Sequence, residues 1–102
     1  MRESCLICAR KHIAQAIVLL IESRLGHPHH FWLAMGHLAE AEAETLTKFP
    51  DFAKRIRYDR LNLVLNENKT PVELEHLIKE ASLLYAQDKE NKELDSMEKP
   101  SL

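Results

Sequence analysis

Glycine and proline are scarce in this chain of 102 residues, in which Gly occurs twice and Pro four times. Residues that interrupt helices are therefore confined to a few points, and each Pro falls between periodic segments or close to the C-terminus. The remaining composition is rich in Leu, Ala, Glu and Lys, which are strong helix formers. The sequence therefore predicts an all-α protein.

Long apolar runs are also missing from the chain. The longest, residues 13–21, is interrupted by Gln15 and is far shorter than the roughly 20 residues needed to cross a bilayer. The N-terminus lacks the features of a secretory signal peptide. We therefore expect a cytoplasmic protein without a membrane segment, in which Cys5 and Cys8 stay reduced and form no disulfide.

The chain carries no strong charge of either sign, since its formal net charge is −2. No overall field therefore attracts nucleic acid or an anionic membrane. One local basic set lies in the third predicted helix and consists of Lys54, Arg55, Arg57 and Arg60. These side chains are candidates for phosphate contacts, but Asp51 and Asp59 flank Arg55 at helical spacing and neutralise part of the charge. We do not expect nucleic-acid binding.

The hydrophobic periodicity predicts four helices in a single domain of residues 1–88. The predicted helices run over about 4–25, 30–48, 51–66 and 70–88. Ser4 is the predicted N-cap of the first helix, and the Thr70 to Glu73 segment reads as a capping box for the fourth. Short loops favour antiparallel neighbours, and hence a four-helix bundle or two packed helical hairpins. Residues 89–102 form a charged tail, expected to be disordered or at most a frayed extension of helix four.

The first predicted helix is apolar around most of its circumference, which is typical of a helix central in its bundle or buried in a dimer. We therefore expect self-association. The residues predicted to lie at the interface between copies are Ile13, Ile17, Leu20, Ile21 and Trp32.

Cys5-x2-Cys8-x3-His12 places two thiols and an imidazole on one face of the first helix. Cys-x2-Cys is a frequent half-site for zinc, because two thiolates on one turn can reach a common ion. If residues pair evenly about the turn after helix one, His12 lies opposite Glu42, and Glu44 is the best fourth ligand. In this register His37 lies about 7 Å too far along the hairpin.

Two other interpretations of this stripe stay open. The cysteines and His12 can be ordinary buried residues, or the cysteines can form a redox-active pair at a helix N-terminus. Helix two carries a second one-face pattern, His37-x2-Glu40-x3-Glu44, which suits a hard or borderline cation. Ordinary solvent-exposed acidic residues on one face of a helix give the same sequence pattern.

One pattern extends over about residues 5–44 and consists of Cys5-x2-Cys8-Ala-Arg-Lys-His12, Gly26-x-Pro28, Trp32 and Gly36-His-Leu-Ala-Glu-Ala-Glu42. In this pattern the chain resembles a group of small, uncharacterised phage- or prophage-type helical proteins. The resemblance implies an accessory protein, either a virion component or a modulator of a host factor. Under this resemblance the residues of interest are Cys5, Cys8, Arg10, Lys11, His12, His30 and His37.

These observations favour a small non-enzymatic interaction module that self-associates, with a structural metal, zinc, near its N-terminus. The predicted ligands are Cys5, Cys8, His12 and Glu44. The alternative is a metal-dependent or thiol-redox enzyme that uses the stripe of Cys5, Cys8 and His12. The sequence shows no nucleophile–base pair at a convincing spacing and no phosphate-binding loop.

Overall fold

A computed structural model describes residues 5–66 and 74–98, with side chains as far as residue 94. The helices are α1 (Leu6–Arg24), α2 (His30–Thr45), α3 (Pro50–Leu65) and α4 (Glu75–Glu98). No β-strand occurs in these two stretches. The all-α prediction is confirmed. The predicted capping box at 70–73 lies outside the described residues.

The first helix begins one residue later than predicted. Cys5, rather than Ser4, is the N-cap, and its Sγ accepts a hydrogen bond from the backbone N–H of Cys8 at 3.1 Å. At the other end, Gly26 has a φ of 117°, a left-handed conformation that side-chain-bearing residues rarely adopt. The backbone N–H groups of Leu25 and His27 both donate to the carbonyl of Glu22 and close the helix.

The α1–α2 turn folds back beside the end of α1. The Nδ1 atom of His30 lies 2.7 Å from a carboxylate oxygen of Glu22, so α2 starts alongside the last turns of α1 and not beyond them. At the far end of the hairpin, the backbone N–H of Cys5 donates to the carbonyl of Glu44 at 2.9 Å. The two helices are therefore staggered relative to the even pairing that the sequence suggested.

The four helices pack as a bundle around one core. Helix α1 packs against α2 and α4, α2 packs against α3, and a smaller contact joins α3 to α4. The larger side chains of this core that are almost completely buried are Ile13, Leu38, Phe52, Ile56, Leu74 and Leu77. Burying each of them stabilises the fold by about 1.5–3 kcal/mol relative to leaving it in water.

The core corrects part of the predicted interface. Ile13 is 0% exposed and Leu20 is 4% exposed, so both are buried within one chain. They face α2 and the rest of the bundle, because α1 is the central helix, and they are therefore not available to a second copy. Ile17 is half-buried, whereas Ile21 and Trp32 are exposed.

Helix α4 continues ten residues beyond the predicted end at Asp88, as far as Glu98. The sequence predicted a disordered tail from residue 89 or at most a frayed extension of helix four, and residues 89–98 are helical. Asp88 anchors the start of the extension, since it pairs with Lys48 at 2.7 Å and with Lys92 at 3.2 Å. None of the helices in the described residues is long and apolar enough to cross a membrane.

Candidate metal site

His12 of α1 and His37 of α2 meet across the first hairpin. Their Nδ1 atoms are 2.9 Å apart, and the ring centroids are 5.1 Å apart with the planes tilted by 34°. Both side chains are half-buried. A hydrogen bond between two imidazoles requires one ring to donate and the other to accept. The contact therefore fixes the orientation of His12 at the surface between the helices.

Two carboxylates of α2 complete the cluster. One ligand atom from each of His12, Glu40 and Glu44 lies within 4.8 Å of the others. Glu40 and Glu44 are one helical turn apart, and His37 precedes Glu40 by three residues, so all three are on the face of α2 that turns toward α1. The cluster thus draws its donors from both helices of the hairpin. Below, the hairpin site means this group of His12, Glu40 and Glu44 together with His37, which contacts His12 but is not one of the three residues whose ligand atoms lie within 4.8 Å of one another.

The donor atoms of the hairpin site suit a borderline divalent cation. Imidazole nitrogen and carboxylate oxygen together suit zinc and its first-row neighbours. The separation of the two Nδ1 atoms is consistent with a shared ion as well as with a hydrogen bond. Two metal–nitrogen bonds of about 2.0–2.1 Å, at an angle between roughly 90° and 110°, hold their nitrogens about 2.9–3.4 Å apart. The observed 2.9 Å is at the lower end of this range.

The two cysteines are joined by a disulfide between Cys5 and Cys8, with their Cα atoms 5.2 Å apart. This corrects the expectation that both would be reduced thiols. Cys5 is the N-cap of α1 and Cys8 lies in its first turn. Their sulfurs are close enough to bond because positions i and i+3 are neighbours on the helix surface. A disulfide sulfur has no thiolate to offer a metal.

The predicted ligand set is therefore brought together only in part. His12 and Glu44 are in the cluster, and Cys5 and Cys8 are held in the disulfide. The sequence predicted Glu44 of helix two as a ligand beside His12 but left His37 and Glu40 in a separate pattern. It placed His12 opposite Glu42, whereas His12 meets His37, five residues closer to the turn. The stagger of the hairpin thus makes one site from the two patterns.

The basic side chains of α3 are largely engaged in ion pairs within the chain. The guanidinium groups of Arg57 and Arg60 both bind the carboxylate of Glu42, at 2.8 Å and 3.1 Å. The Nε atom of Arg55 donates to Glu80 at 2.8 Å. Three of the four candidate phosphate-binding side chains therefore already contact a carboxylate, and two of them share that of Glu42.

Exposed apolar side chains flank the turn of the first hairpin. Ile21 and Leu25 lie near the end of α1, and Trp32 and Leu33 lie in the first turn of α2. Trp32 is 65% exposed and borders a cleft of about 370 Å³ that Leu20 and Leu63 also line. Large apolar side chains grouped at one end of a small protein are typical of a contact surface.

Comparison with known proteins yields no relative. No family model matches the chain, and it has no significant match among curated proteins or solved structures.

Proposed function

We propose that this protein is a small helical interaction module in which a divalent metal ion, zinc, holds α1 and α2 together. The observation that carries the proposal is the convergence of His12, Glu40 and Glu44 from the two helices, with their ligand atoms within 4.8 Å. His37 adds a nitrogen beside His12. The donors number three or four, which is the usual protein contribution to a zinc site.

The position of the hairpin site supports a structural role for the ion. Helix α1 packs on α4 and α2 packs on α3, so the α1–α2 hairpin joins the two sides of the bundle. An ion that binds the folded hairpin better than the unfolded chain stabilises the whole domain. The expected consequence is that zinc raises the melting temperature of the protein.

A zinc titration of purified protein tests the proposal. We expect one zinc ion per chain, a higher melting temperature with zinc, and the loss of both effects in His12→Ala and Glu40→Ala. His29→Ala is the matched control, because His29 is an exposed histidine of the turn that lies outside the hairpin site. Zinc binding that persists in His12→Ala but disappears in His29→Ala would assign the ion to the turn and overturn the proposal.

Self-association is the interaction that we propose for this module. It is supported by the exposure of Ile21 and Trp32 on either side of the same turn. In a two-fold symmetric dimer the same apolar patch of each copy meets the other, so no second partner surface is required. The structural metal then keeps the two helices that carry the patch in a fixed register.

The molecular mass of the protein in solution tests the proposed self-association. We expect a dimer that becomes a monomer in Trp32→Glu, and we expect Tyr58→Glu to stay dimeric. Tyr58 is an equally exposed aromatic residue on α3 and is therefore a suitable control. A single-chain mass for the unmodified protein at high concentration would contradict the self-association.

An accessory role in a phage, as a virion component or a modulator of a host factor in the cytoplasm, is the setting that we propose. It is supported by the resemblance over about residues 5–44, which includes Cys5, Cys8, His12 and His37. Cys5 and Cys8 form the disulfide, and His12 and His37 belong to the hairpin site, so the pattern of the resemblance includes part of both.

A further inference from the structure

Cys8 lies at the level where the ion of the hairpin site would sit. Cys5 faces Glu44 through its backbone hydrogen bond, and His12 faces His37, so the backbone of Cys8 lies between these two levels. Helical side chains lean toward the N-terminus of their own helix. His12 therefore leans toward Cys8, and Glu44 of the antiparallel helix leans back toward Glu40. The turn of α1 that carries Cys8 therefore adjoins the level at which His12 meets the carboxylates of α2.

Cys8 and Cys5 differ in their distance from His12 along α1. Cys8 precedes His12 by one turn, about 6 Å along the axis, whereas Cys5 precedes it by about 10.5 Å. Ligands one turn apart on a helix readily bind the same ion, because zinc reaches about 2.3 Å to sulfur and about 2.0–2.1 Å to nitrogen. The sulfur of Cys8 is thus suited to join His12 on one ion, and that of Cys5 is not.

We propose that Cys8 is a ligand of the hairpin site in the reduced protein only. Cys5 prevents Cys8 from binding the ion by forming the disulfide with it. This inference rests on the proposed zinc site. In the disulfide form the sulfur of Cys8 is bonded to Cys5, and the ion has only the imidazole and carboxylate donors of the hairpin site. In the reduced form the thiolate of Cys8 adds a sulfur ligand, and zinc binds more tightly.

The chemistry of the switch balances with a small thiol as the reductant. Two molecules of the thiol transfer two electrons and two protons to the Cys5–Cys8 disulfide, and they leave as one small-molecule disulfide. The products are two cysteine thiols. Zinc then displaces the proton of Cys8, which is released to water as the sulfur–zinc bond forms. A small-molecule disulfide reverses the exchange and restores the Cys5–Cys8 bond.

Two serine variants separate the roles of the cysteines. Neither Cys5→Ser nor Cys8→Ser can form the disulfide, but Cys5→Ser keeps the proposed ligand and Cys8→Ser loses it. Zinc affinity is measured by competition with a chelator, on protein oxidised by a small disulfide and on protein reduced and freed of reductant without air. We expect the reduced unmodified protein to bind zinc roughly tenfold tighter, or more, than the oxidised protein.

The variants should differ from each other in the reduced state. There we expect Cys5→Ser to bind zinc as tightly as the reduced unmodified protein and Cys8→Ser to bind weakly. The oxidised comparison is made only with the unmodified protein and Cys8→Ser, because the oxidant caps the single thiol of Cys5→Ser as a mixed disulfide. With cobalt in place of zinc, thiolate-to-metal charge-transfer absorption is expected in the reduced unmodified protein and in Cys5→Ser, and not in Cys8→Ser. Circular dichroism verifies that both variants keep the helical content of the unmodified protein.

The outcomes distinguish this inference from the zinc site itself. If the oxidised protein binds zinc through His12 but reduction brings neither tighter binding nor charge-transfer absorption, the switch is refuted and the zinc site stands. If Cys5→Ser behaves like Cys8→Ser, both sulfurs are ligands and the division of roles is wrong. If binding is unaffected by His12→Ala in both redox states, the proposed function fails together with the switch.

Discussion

Glu42 is the charged side chain that lies deepest in the described part of the protein, with 8% of the residue exposed. Its carboxylate accepts hydrogen bonds from Arg57 and Arg60, which lie on the neighbouring helix α3. The Nε atom of Arg60 is itself buried and has no hydrogen-bond partner among the described residues. Glu42 is therefore the shared carboxylate partner of two arginines, of which Arg57 is 53% exposed and Arg60 26% exposed.

Replacing Glu42 by Ala should destabilise the fold by about 1–3 kcal/mol, because it leaves the partly buried guanidinium of Arg60 without its carboxylate. The free energy of unfolding in urea measures the effect. Glu80→Ala is the control, since the pair of Glu80 with Arg55 is more exposed and should contribute only about 0–1 kcal/mol. Equal losses in the two variants would contradict this view of Glu42.

Ile13 and Ile21 test the corrected assignment of the interface residues. Ile13 is fully buried and Ile21 is 47% exposed, although both belong to α1. We expect Ile13→Ala to lower the free energy of unfolding by about 2–4 kcal/mol, through lost burial and the cavity that remains. Ile21→Ala should change it by less than about 1 kcal/mol in dilute monomeric protein. A small change in the free energy of unfolding for Ile13→Ala would contradict the burial of Ile13 in the core of one chain.

At the scale of elements, the α1–α2 hairpin shows what the sequence predicts and where it falls short. Helical periodicity identified both stripes, because side-chain spacing on one helix is a local property. The pairing of His12 with His37 depends on how the turn folds back beside Glu22, which is a tertiary property. The same limit applies to the disulfide, since whether two neighbouring cysteines are bonded depends on how Cys5 and Cys8 are placed in the first turn of α1.

The extension of α4 is attached to the turn between α2 and α3 by the contact of Asp88 with Lys48. The hydrogen bond from Lys48, followed by that from Lys92, outweighs desolvation and holds the pKa of Asp88 below its ordinary value. A carboxylate whose pKa is lowered by folding stabilises the folded state at pH values above its ordinary pKa. This contribution is lost as the pH falls through the lowered pKa of Asp88.

We therefore expect the end of α4 to loosen below about pH 4, the ordinary range of an aspartate. Amide hydrogen exchange in residues 85–94 measures this opening. Asp88→Asn should show the faster exchange already at neutral pH, with a smaller further change on acidification. Exchange in this segment that is identical in the two proteins at neutral pH would mean that the contact does not anchor α4.

At the scale of the whole molecule, the all-α class and the four helices follow from composition and periodicity. Which helices pack against each other does not follow from composition and periodicity. The apolar circumference of α1 is expected both for a central helix of a bundle and for a helix buried in a dimer. Contacts with α2 and α4 bury Ile13 and Leu20, and the exposed apolar side chains are left beside the turn. The hairpin site and this apolar surface therefore belong to the same pair of helices, at different levels along it.

The coordination shell of zinc in the loaded, oxidised protein tests the central claim most directly. X-ray absorption at the zinc edge should show only nitrogen and oxygen ligands at about 2.0–2.1 Å, with imidazole scattering that decreases in His12→Ala. A sulfur at about 2.3 Å should appear only after reduction. Protein that holds no zinc, or a zinc shell that is the same in His12→Ala, would contradict the account.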